Sequence, residues 1–369
     1  MAIIPPPHMK ARKRFGQNFL VNDHIINSIV DSINPKEGDY LVEIGPGHAA
    51  LTRPVIERAK ALTAIELDRD LAERLRHDPF LKGLTLIESD ALKVDFTKLP
   101  GAGKLRVFGN LPYNITSPLI FHLLSFPGIV DMHFMLQKEV VERLAAGPGN
   151  KDYGRLTVMA QFHAQVIPVL TVPPSAFIPP PKVMSAVVRL KPKSLTDEER
   201  ALSPFLNKIT TTAFAARRKT IRNSMAPLFE ADELSAIGID LQARAEDLPL
   251  STYVELAKLL KSKRTLEELI AQEEMQTQLK KEKRIAKLTA VQADVGDVGC
   301  KDTDAGDNAK KSAQDASSED NMLEHGSSEA AQSTGKPLTA KERSILKKAQ
   351  KKRPRKFEDI DFNDINADL

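Results

Sequence analysis

Four short apolar segments in the first third of the chain constrain its fold more than any other feature. They span residues 39–44, 61–65, 84–88 and 105–108, and a segment with helical periodicity, 49–58, follows the first. Buried strands that alternate with helices predict an α/β fold with a largely parallel sheet. The carboxyl ends of parallel strands meet at one edge, where ligands bind. We therefore expect the residues that follow these strands to lie together; they are Gly45, Glu66, Asp90 and Asn110.

The first strand leads directly into Gly45-Pro46-Gly47, a turn typical of nucleotide-binding units because glycine lets a ligand approach the backbone. Glu66 follows the first glycine by about 20 residues, where a carboxylate can bind both ribose hydroxyls. A surface Lys or Arg is its alternative partner. Pro46 lacks the N–H that a pyrophosphate would need, and the third fingerprint glycine is missing, so the turn favours a ligand with adenosine but no phosphate. Asp90 could accept a hydrogen from the adenine amine, or it could cap the next turn.

Residues 109–114 read Gly-Asn-Leu-Pro-Tyr-Asn and follow an apolar strand. The Asn110 side chain and the Leu111 main-chain carbonyl can together accept both hydrogens of an exocyclic amine. Pro112 stiffens the loop, and Tyr113 can stack on the base that carries the amine. We interpret this hexapeptide as a pocket for a flipped-out adenine. A strand-to-turn junction with an Asn cap is the alternative.

A proline-rich segment, residues 173–182, lies between two strand-like runs at 164–170 and 184–190 that predict a hairpin at the end of the sheet. Its prolines leave little conformational entropy to lose, so the segment can hold Phe177 rigidly. Phe177 then becomes a candidate for the second face of a base sandwich with Tyr113. Ordinary core packing is the alternative for this side chain.

The composition limits the classes of protein that the chain can represent. Its 369 residues suffice for about two domains. No apolar run reaches the ~18 residues of a membrane span, and the first ten residues do not resemble a signal peptide. The single Cys300 excludes an internal disulfide and a cysteine-based metal cluster, which fits a protein of the reducing cytoplasm. The sequence offers no obvious metal site, and no bound metal is expected.

Two clusters of basic residues are candidates for contacts with nucleic-acid phosphates. The first, Arg12, Lys13 and Arg14, stands just before aromatic and amide residues at 15–19, and the second comprises Arg217, Arg218, Lys219 and Arg222. For both clusters, solvated protein surface is the alternative. The second lies in a region of helical composition, with helices expected near 197–214, 217–229, 230–237 and 251–261.

The motifs together resemble those of the rRNA adenine N6,N6-dimethyltransferase family, in particular the bacterial 16S enzymes. The resemblance covers roughly residues 10–260 and rests on Arg-Lys-Arg-Phe-Gly-Gln-Asn-Phe-Leu, Glu-Ile-Gly-Pro-Gly, Ile-Glu-Leu-Asp, Asn-Leu-Pro-Tyr-Asn, Phe-Ile-Pro-Pro-Pro-Lys-Val and Arg-Arg-Lys-Thr-Ile-Arg-Asn-Ser. It implies S-adenosylmethionine as methyl donor and, as substrate, two adjacent adenines in a hairpin near the 3′ end of 16S rRNA in the immature small subunit. The cofactor residues that it implies are Asn18, Leu20, Gly45, Glu66, Asp90 and Asn110. Thr116-Ser117 reverses the order that the family pattern leads us to expect, and either residue should cap the next helix.

The expected fold is therefore α/β, a Rossmann-like seven-stranded methyltransferase sheet with a small all-α C-terminal domain and a largely disordered tail. The expected divisions are an RNA- and cofactor-contacting segment (1–22), the methyltransferase domain (23–194), the helical domain (195–261) and a charged extension (262–369). A monomer is expected. A nicotinamide oxidoreductase, a DNA adenine methyltransferase and a non-catalytic ribosome-assembly factor remain as alternatives.

Overall fold

The computed structural model describes residues 18–112, 115–216 and 218–269, together with six separate positions between 271 and 282. The chain forms two compact units, the first extending to Lys263 and the second beginning at Arg264. In the second unit, residues 266–269 are helical. Most of the predicted extension, 262–369, lies outside the described residues. No helix in the described part of the chain is long and apolar enough to cross a membrane.

The first unit is built on a mixed sheet with helices on both sides. The strands in the described residues are β1 (Phe19–Leu20), β2 (Tyr40–Ile44), β3 (Leu62–Glu66), β4 (Leu84–Glu88), β5 (Leu105–Asn110), β6 (Ile129–Gln137), β7 (Ala164–Val172), β8 (Phe177–Ile178) and β9 (Ser185–Pro192). The helices are α1 (Asp23–Ile33), α2 (Thr52–Ala59), α3 (Arg69–Arg76), α4 (Thr116–Ser125), α5 (Lys138–Ala145), α6 (Arg155–His163), α7 (Asp197–Arg200), α8 (Ser203–Ala213), α9 (Ile221–Met225), α10 (Ala231–Ala236) and α11 (Leu250–Lys263).

Seven strands form the main sheet in the order β4-β3-β2-β5-β6-β9-β7. The strands from β4 to β6 are parallel, whereas β9 runs antiparallel to both of its neighbours. The four sequence-predicted strands therefore pair as expected, and β7 and β9 form the predicted antiparallel pair. The seven-stranded α/β fold expected from the sequence is confirmed.

The centre of the sheet is buried because helices cover both faces. Nearly every residue of β2, β5 and β6 is buried. On one side, α1 packs Ile26, Ile29, Val30 and Ile33 into the core. Asn22 caps the start of α1 by accepting a hydrogen bond from Ile25 N at 3.1 Å. The rigid sheet thus holds its carboxyl-end edge in a defined geometry.

A separate two-stranded sheet joins distant parts of the chain. In it, β1 pairs antiparallel with β8, so that Phe19 lies opposite Ile178 and Leu20 opposite Phe177. A hydrogen bond of 2.9 Å from Val21 N to Ala176 O extends the pairing. The N-terminal segment is thereby attached to the proline-rich segment.

Several expected helix boundaries were wrong. The helix expected over 197–214 is divided, since α7 ends at Arg200 and α8 begins with Ser203 and a proline in its first turn. The helix expected over 217–229 is reduced to α9, because Thr220 pairs with Arg244 in an isolated antiparallel bridge that requires extended backbone.

The expected cap of α4 was also wrong. Ile115 occupies the N-cap position and makes no side-chain cap hydrogen bond. Thr116 and Ser117 lie inside the helix and are buried. The Thr116 hydroxyl instead donates back to the Pro112 carbonyl at 3.3 Å.

Candidate active site

A cavity opens at the carboxyl ends of β2, β3, β4 and β5. The glycine turn after β2 and the residues that follow the next three strands line it together, as the sequence predicted. The N-terminal segment and β8 complete its wall. The predicted site residues that line this cavity are Asn18, Leu20, Gly45, Glu66, Asp90, Asn110, Leu111, Pro112 and Phe177.

The glycine turn lies directly beside the end of β5. Gly45 and Gly47 have φ angles of 67° and 56°, which residues with a side chain rarely adopt. Gly45 N donates to Ile65 O at 2.9 Å, which fixes the turn to the end of β3. A Cβ atom on Gly45 would lie 3.8 Å from the main-chain oxygen of Asn110. The space beside Asn110 would therefore accept a Cβ atom in ordinary contact, and it is the positive φ angle that favours glycine at this position.

Glu66 presents a buried carboxylate that is bound by main-chain amides. Its Oε1 accepts from Asp68 N at 2.8 Å and its Oε2 accepts from Gly47 N at 3.4 Å. Burial raises the pKa of Glu66, while the same amides oppose the increase. Glu66 forms no ion pair with a Lys or Arg among the described residues. The alternative of a surface Lys or Arg partner is therefore not observed, and main-chain amides bind the carboxylate instead.

Asp90 caps a short turn and also lines the cavity. Its Oδ1 accepts from Leu92 N at 3.0 Å, at the start of the 3₁₀ turn Ala91–Lys93. The capping alternative is therefore observed. Capping occupies one carboxylate oxygen and fixes the orientation of the group at the cavity wall. A role in ligand binding stays a prediction.

Asn110 is the last residue of β5, and a hydrogen bond fixes the orientation of its side-chain carboxamide. Its Nδ2 donates to the main-chain oxygen of Asn18 at 3.0 Å. Its Oδ1 accepts no hydrogen bond from the described residues. The next amide, Leu111 N, donates to Met135 O at 3.2 Å and so continues the pairing with β6. The preceding residue must be small, since a Cβ atom on Gly109 would lie 2.3 Å from Ile44 O.

The aromatic part of the predicted base pocket is described only in part. Phe177 lies at the cavity with 4% of its surface exposed, and its strand β8 is paired with β1. Tyr113 lies outside the described residues, so the base sandwich of Tyr113 and Phe177 stays a prediction.

The predicted phosphate contacts are likewise described in part. Arg12, Lys13, Arg14 and Arg217 lie outside the described residues. Arg218, Lys219 and Arg222 are exposed on the surface of the helical region, near the start of α9. No ion pair of these three cations occurs within the described part of the chain. Their contact with RNA stays a prediction.

Three titratable residues of the cavity wall, Glu43, His48 and Asp68, were not among the site residues predicted from the sequence. Glu43, on β2, is 2% exposed, and burial raises its pKa to about 8, with the nearby Thr52 hydroxyl opposing the increase and Glu66 adding to it. Its Oε2 has no hydrogen-bond partner among the described residues. The imidazole of His48 packs against Phe19 with ring centroids 4.0 Å apart, and burial lowers its pKa to about 4. Glu43 could have been identified from the sequence, because it is a charged residue inside an otherwise apolar strand. No feature of the sequence marks His48 as a residue of the cavity.

The cavity is rich in acidic groups. Glu43, Glu66, Asp68 and Asp90 line it, whereas the described lining contains no Lys or Arg. This charge pattern suits a ligand with positive charge and hydroxyl or amine donors. Among the described residues, no group of three or more His, Cys, Asp or Glu side chains has an arrangement that could hold a metal ion.

Comparisons with known proteins identify the family of the chain. A sequence profile of the family described as Ribosomal RNA adenine dimethylase matches residues 8–262. Ribosomal RNA small subunit methyltransferase A of Actinobacillus pleuropneumoniae serotype 3 (strain JL03) is 56% identical over 258 residues, which cover 68% of this chain and 89% of that protein.

Solved structures share the architecture. A dimethyladenosine transferase from Plasmodium falciparum has a TM-score of 0.57 at 27% identity and covers 66% of this chain and 98% of its own. The 23S rRNA methyltransferase ErmE, with a TM-score of 0.54 at 24% identity over 66% of this chain and 100% of its own, has the same fold. The profile match contains all of the quoted motifs and ends where the C-terminal extension begins. The chain belongs to the ribosomal RNA adenine dimethylase family.

Proposed function

We propose that this protein transfers methyl groups from S-adenosylmethionine to N6 of two adjacent adenines in a hairpin near the 3′ end of 16S rRNA, giving N6,N6-dimethyladenines during small-subunit biogenesis. One observation carries the proposal in the structure. The Asn110 carboxamide lies in the same cavity as the acidic strand ends, with its nitrogen bound by the Asn18 carbonyl. The Asn110 side-chain oxygen, which can accept a hydrogen bond from an amine, therefore lies in the same cavity as carboxyl groups that can bind a cationic nucleoside.

The cavity wall fits S-adenosylmethionine by its chemistry. Glu66 would accept hydrogen bonds from the ribose hydroxyls, and Asp90 would accept one from the adenine amine. Asn18, Leu20 and Gly45 would contact the remainder of the molecule. The carboxyl groups of Glu66, Asp68 and Asp90 and the absence of lining cations in the described residues match its positive charge. When bound, the cofactor supplies an electrophilic methyl group on a sulfonium.

The chain itself would orient the target amine. The lone pair of adenine N6 is delocalised into the ring, which makes it a poor nucleophile. Asn110 Oδ1 and the Leu111 carbonyl, by accepting the two N6 hydrogens, would favour a pyramidal nitrogen. They would also stabilise the positive charge that grows on it during transfer. Pro112 would restrict the loop, and Tyr113 and Phe177 would stack on the two faces of the base.

Basic residues outside the cavity would bind the rRNA backbone of an immature small subunit. Arg12, Lys13 and Arg14 would act from the N-terminal segment (1–22), beside the methyltransferase domain (23–194). Arg217, Arg218, Lys219 and Arg222 would act from the helical domain (195–261). Affinity should then fall steeply as salt increases, because such contacts release counterions. The protein would work as a monomer in the cytoplasm.

The test is incorporation of labelled methyl groups from S-adenosylmethionine into immature small subunits, free 16S rRNA and naked DNA. We expect incorporation into the small subunits, at two adjacent adenines near the 3′ end. Asn110→Ala should lower turnover by ~10²-fold, as loss of one well-placed polar group does. Near wild-type methylation by Asn110→Ala would refute the mechanism. Binding to small subunits without incorporation would instead indicate an assembly factor.

A further inference from the structure

The carboxamide of Asn110 has two ends of nearly the same shape, and only one of them can accept a hydrogen from an amine. If the group turned by half a rotation, its NH₂ would face the adenine amine and donor would meet donor. The proposed mechanism therefore requires a group that distinguishes the two ends. A carbonyl oxygen does so, because it accepts hydrogen bonds and cannot donate them.

Such a carbonyl lies at the required place. The main-chain oxygen of Asn18 is 3.0 Å from Asn110 Nδ2. Asn110 is only partly exposed, so water competes incompletely for this contact. In the reversed orientation, Oδ1 would face the Asn18 oxygen, and two acceptors would stand at hydrogen-bond distance with no hydrogen between them.

The Asn18 carbonyl is held by the residues that follow it. Phe19 packs its ring on the His48 imidazole, 4.0 Å away, and would lie 3.4 Å from a Cβ atom on Gly47. Leu20 pairs with Phe177 across the small sheet. Immediately afterwards, Asn22 caps α1. The carbonyl is therefore fixed by β1 and α1 rather than carried by a free segment.

We propose that the main-chain carbonyl of Asn18 is the positioning group that sets the Asn110 carboxamide with Oδ1 toward the adenine amine. This inference rests on the proposed methyl transfer and adds a requirement to it. The side chain at position 110 must donate as well as accept. An ionised carboxylate, although it is a stronger acceptor, cannot replace the amide, whereas a protonated carboxyl group can.

The kinetic test compares Asn110→Asp with wild type and Asn110→Ala over a range of pH, each rate divided by that of wild type. The groups that share the cavity with position 110 are Glu43, Glu66, Asp68, Asp90 and His48. They are present in all three proteins, so the division removes their titration to first order. The fraction of Asp at position 110 that is ionised is measured separately, from the extra carboxyl signal in ¹³C NMR spectra of the variant.

We expect the relative rate of Asn110→Asp to follow the protonated fraction and to fall about tenfold per pH unit above the pKa of the new carboxyl group. Asn110→Ala should be slow at every pH. An Asn110→Asp variant that works at the wild-type rate when ionised would overturn the proposal. So would a folded variant, shown by calorimetry to bind S-adenosylmethionine, that is no faster than Asn110→Ala at any pH.

A second measurement is made on the wild-type protein and does not depend on methyl transfer. In ¹⁵N-labelled wild-type protein, the Nδ2 hydrogens of Asn110, identified by their loss in Asn110→Ala, should exchange with water more slowly than those of the exposed Asn223. Equal exchange would overturn the proposal. If wild type methylated no RNA, the proposed function would fail, while the exchange result would still decide whether Asn18 holds the amide.

Discussion

Replacing Glu43 with glutamine should make the ligand-free protein more stable than wild type by an amount that grows with pH. Glu43 lies on β2 with 2% of its surface exposed, and burial raises its pKa from 4.5 to about 8. Between these two values the folded protein keeps the proton that the unfolded chain has released. Folding therefore takes up a proton, and the stability of wild type falls as pH rises through this range.

The size of the effect follows from the two pKa values. A change from 4.5 to about 8 corresponds to about 5 kcal/mol of unfolding free energy, at about 1.4 kcal/mol for each pH unit. This loss of stability is absent at pH values below the pKa of Glu43 in the unfolded chain, and it is complete at pH values above its pKa in the folded protein. Glutamine has almost the same shape as glutamate and does not ionise. Glu43→Gln therefore removes the pH dependence that Glu43 gives to the unfolding free energy, and any other effect of the substitution on stability does not vary with pH.

Urea unfolding at several values between about pH 5 and pH 8 measures this difference. The stability of Glu43→Gln minus that of wild type should increase steadily with pH. Glu57→Gln, on the exposed side of α2, is the matched control and should follow the wild-type dependence. Parallel curves for wild type and Glu43→Gln would show that Glu43 ionises in the folded protein as it does in the unfolded chain.

Three further substitutions test other parts of the site and its support. Glu66→Gln should weaken S-adenosylmethionine binding by about tenfold in calorimetry, because hydrogen bonds to a charged acceptor are lost. Gly109→Ala should lower the unfolding free energy by about 1–3 kcal/mol in urea, since the new Cβ atom would lie 2.3 Å from Ile44 O. Asp131→Ala should destabilise the protein by about 3 kcal/mol, because Arg106, bonded to Asp131 at 3.0 and 3.1 Å, loses a buried partner.

Each of these substitutions has an outcome that would contradict its reasoning. Unchanged affinity in Glu66→Gln would remove the ribose role from this carboxylate. Gly147→Ala, at a glycine with nothing within 4 Å of an added Cβ atom, is the control for Gly109→Ala, and equal stability of the two variants would show that β2 can move aside. A stability loss in Asp131→Ala similar to that of exposed acidic positions would mean that the other partners of Arg106, Asp39 at 2.8 Å and the Ile33 carbonyl at 2.6 Å, suffice to hold its charge.

The sequence alone determined where the cavity would form and which strand ends would line it. Apolar runs of strand length, each followed by a glycine, an acid or an amide, predict both the parallel sheet and the residues at its ligand-binding edge. Gly45, Glu66, Asp90 and Asn110 lie at that edge in the structure. This information is local, because the periodicity of each strand and the identity of the next few residues suffice. Helix boundaries were predicted less well where pairing with another segment intervened, as at Thr220.

Only the tertiary structure decided the chemical state and orientation of the groups in the cavity. The pKa of Glu43 depends on burial by helices and on a second carboxyl group from β3. The orientation of Asn110 depends on a carbonyl 92 residues earlier in the chain, and the two-residue strands β1 and β8 are too short to produce a periodic pattern. Such properties arise from contacts between distant residues, whose strength is set by distance and dielectric environment rather than by neighbours in sequence.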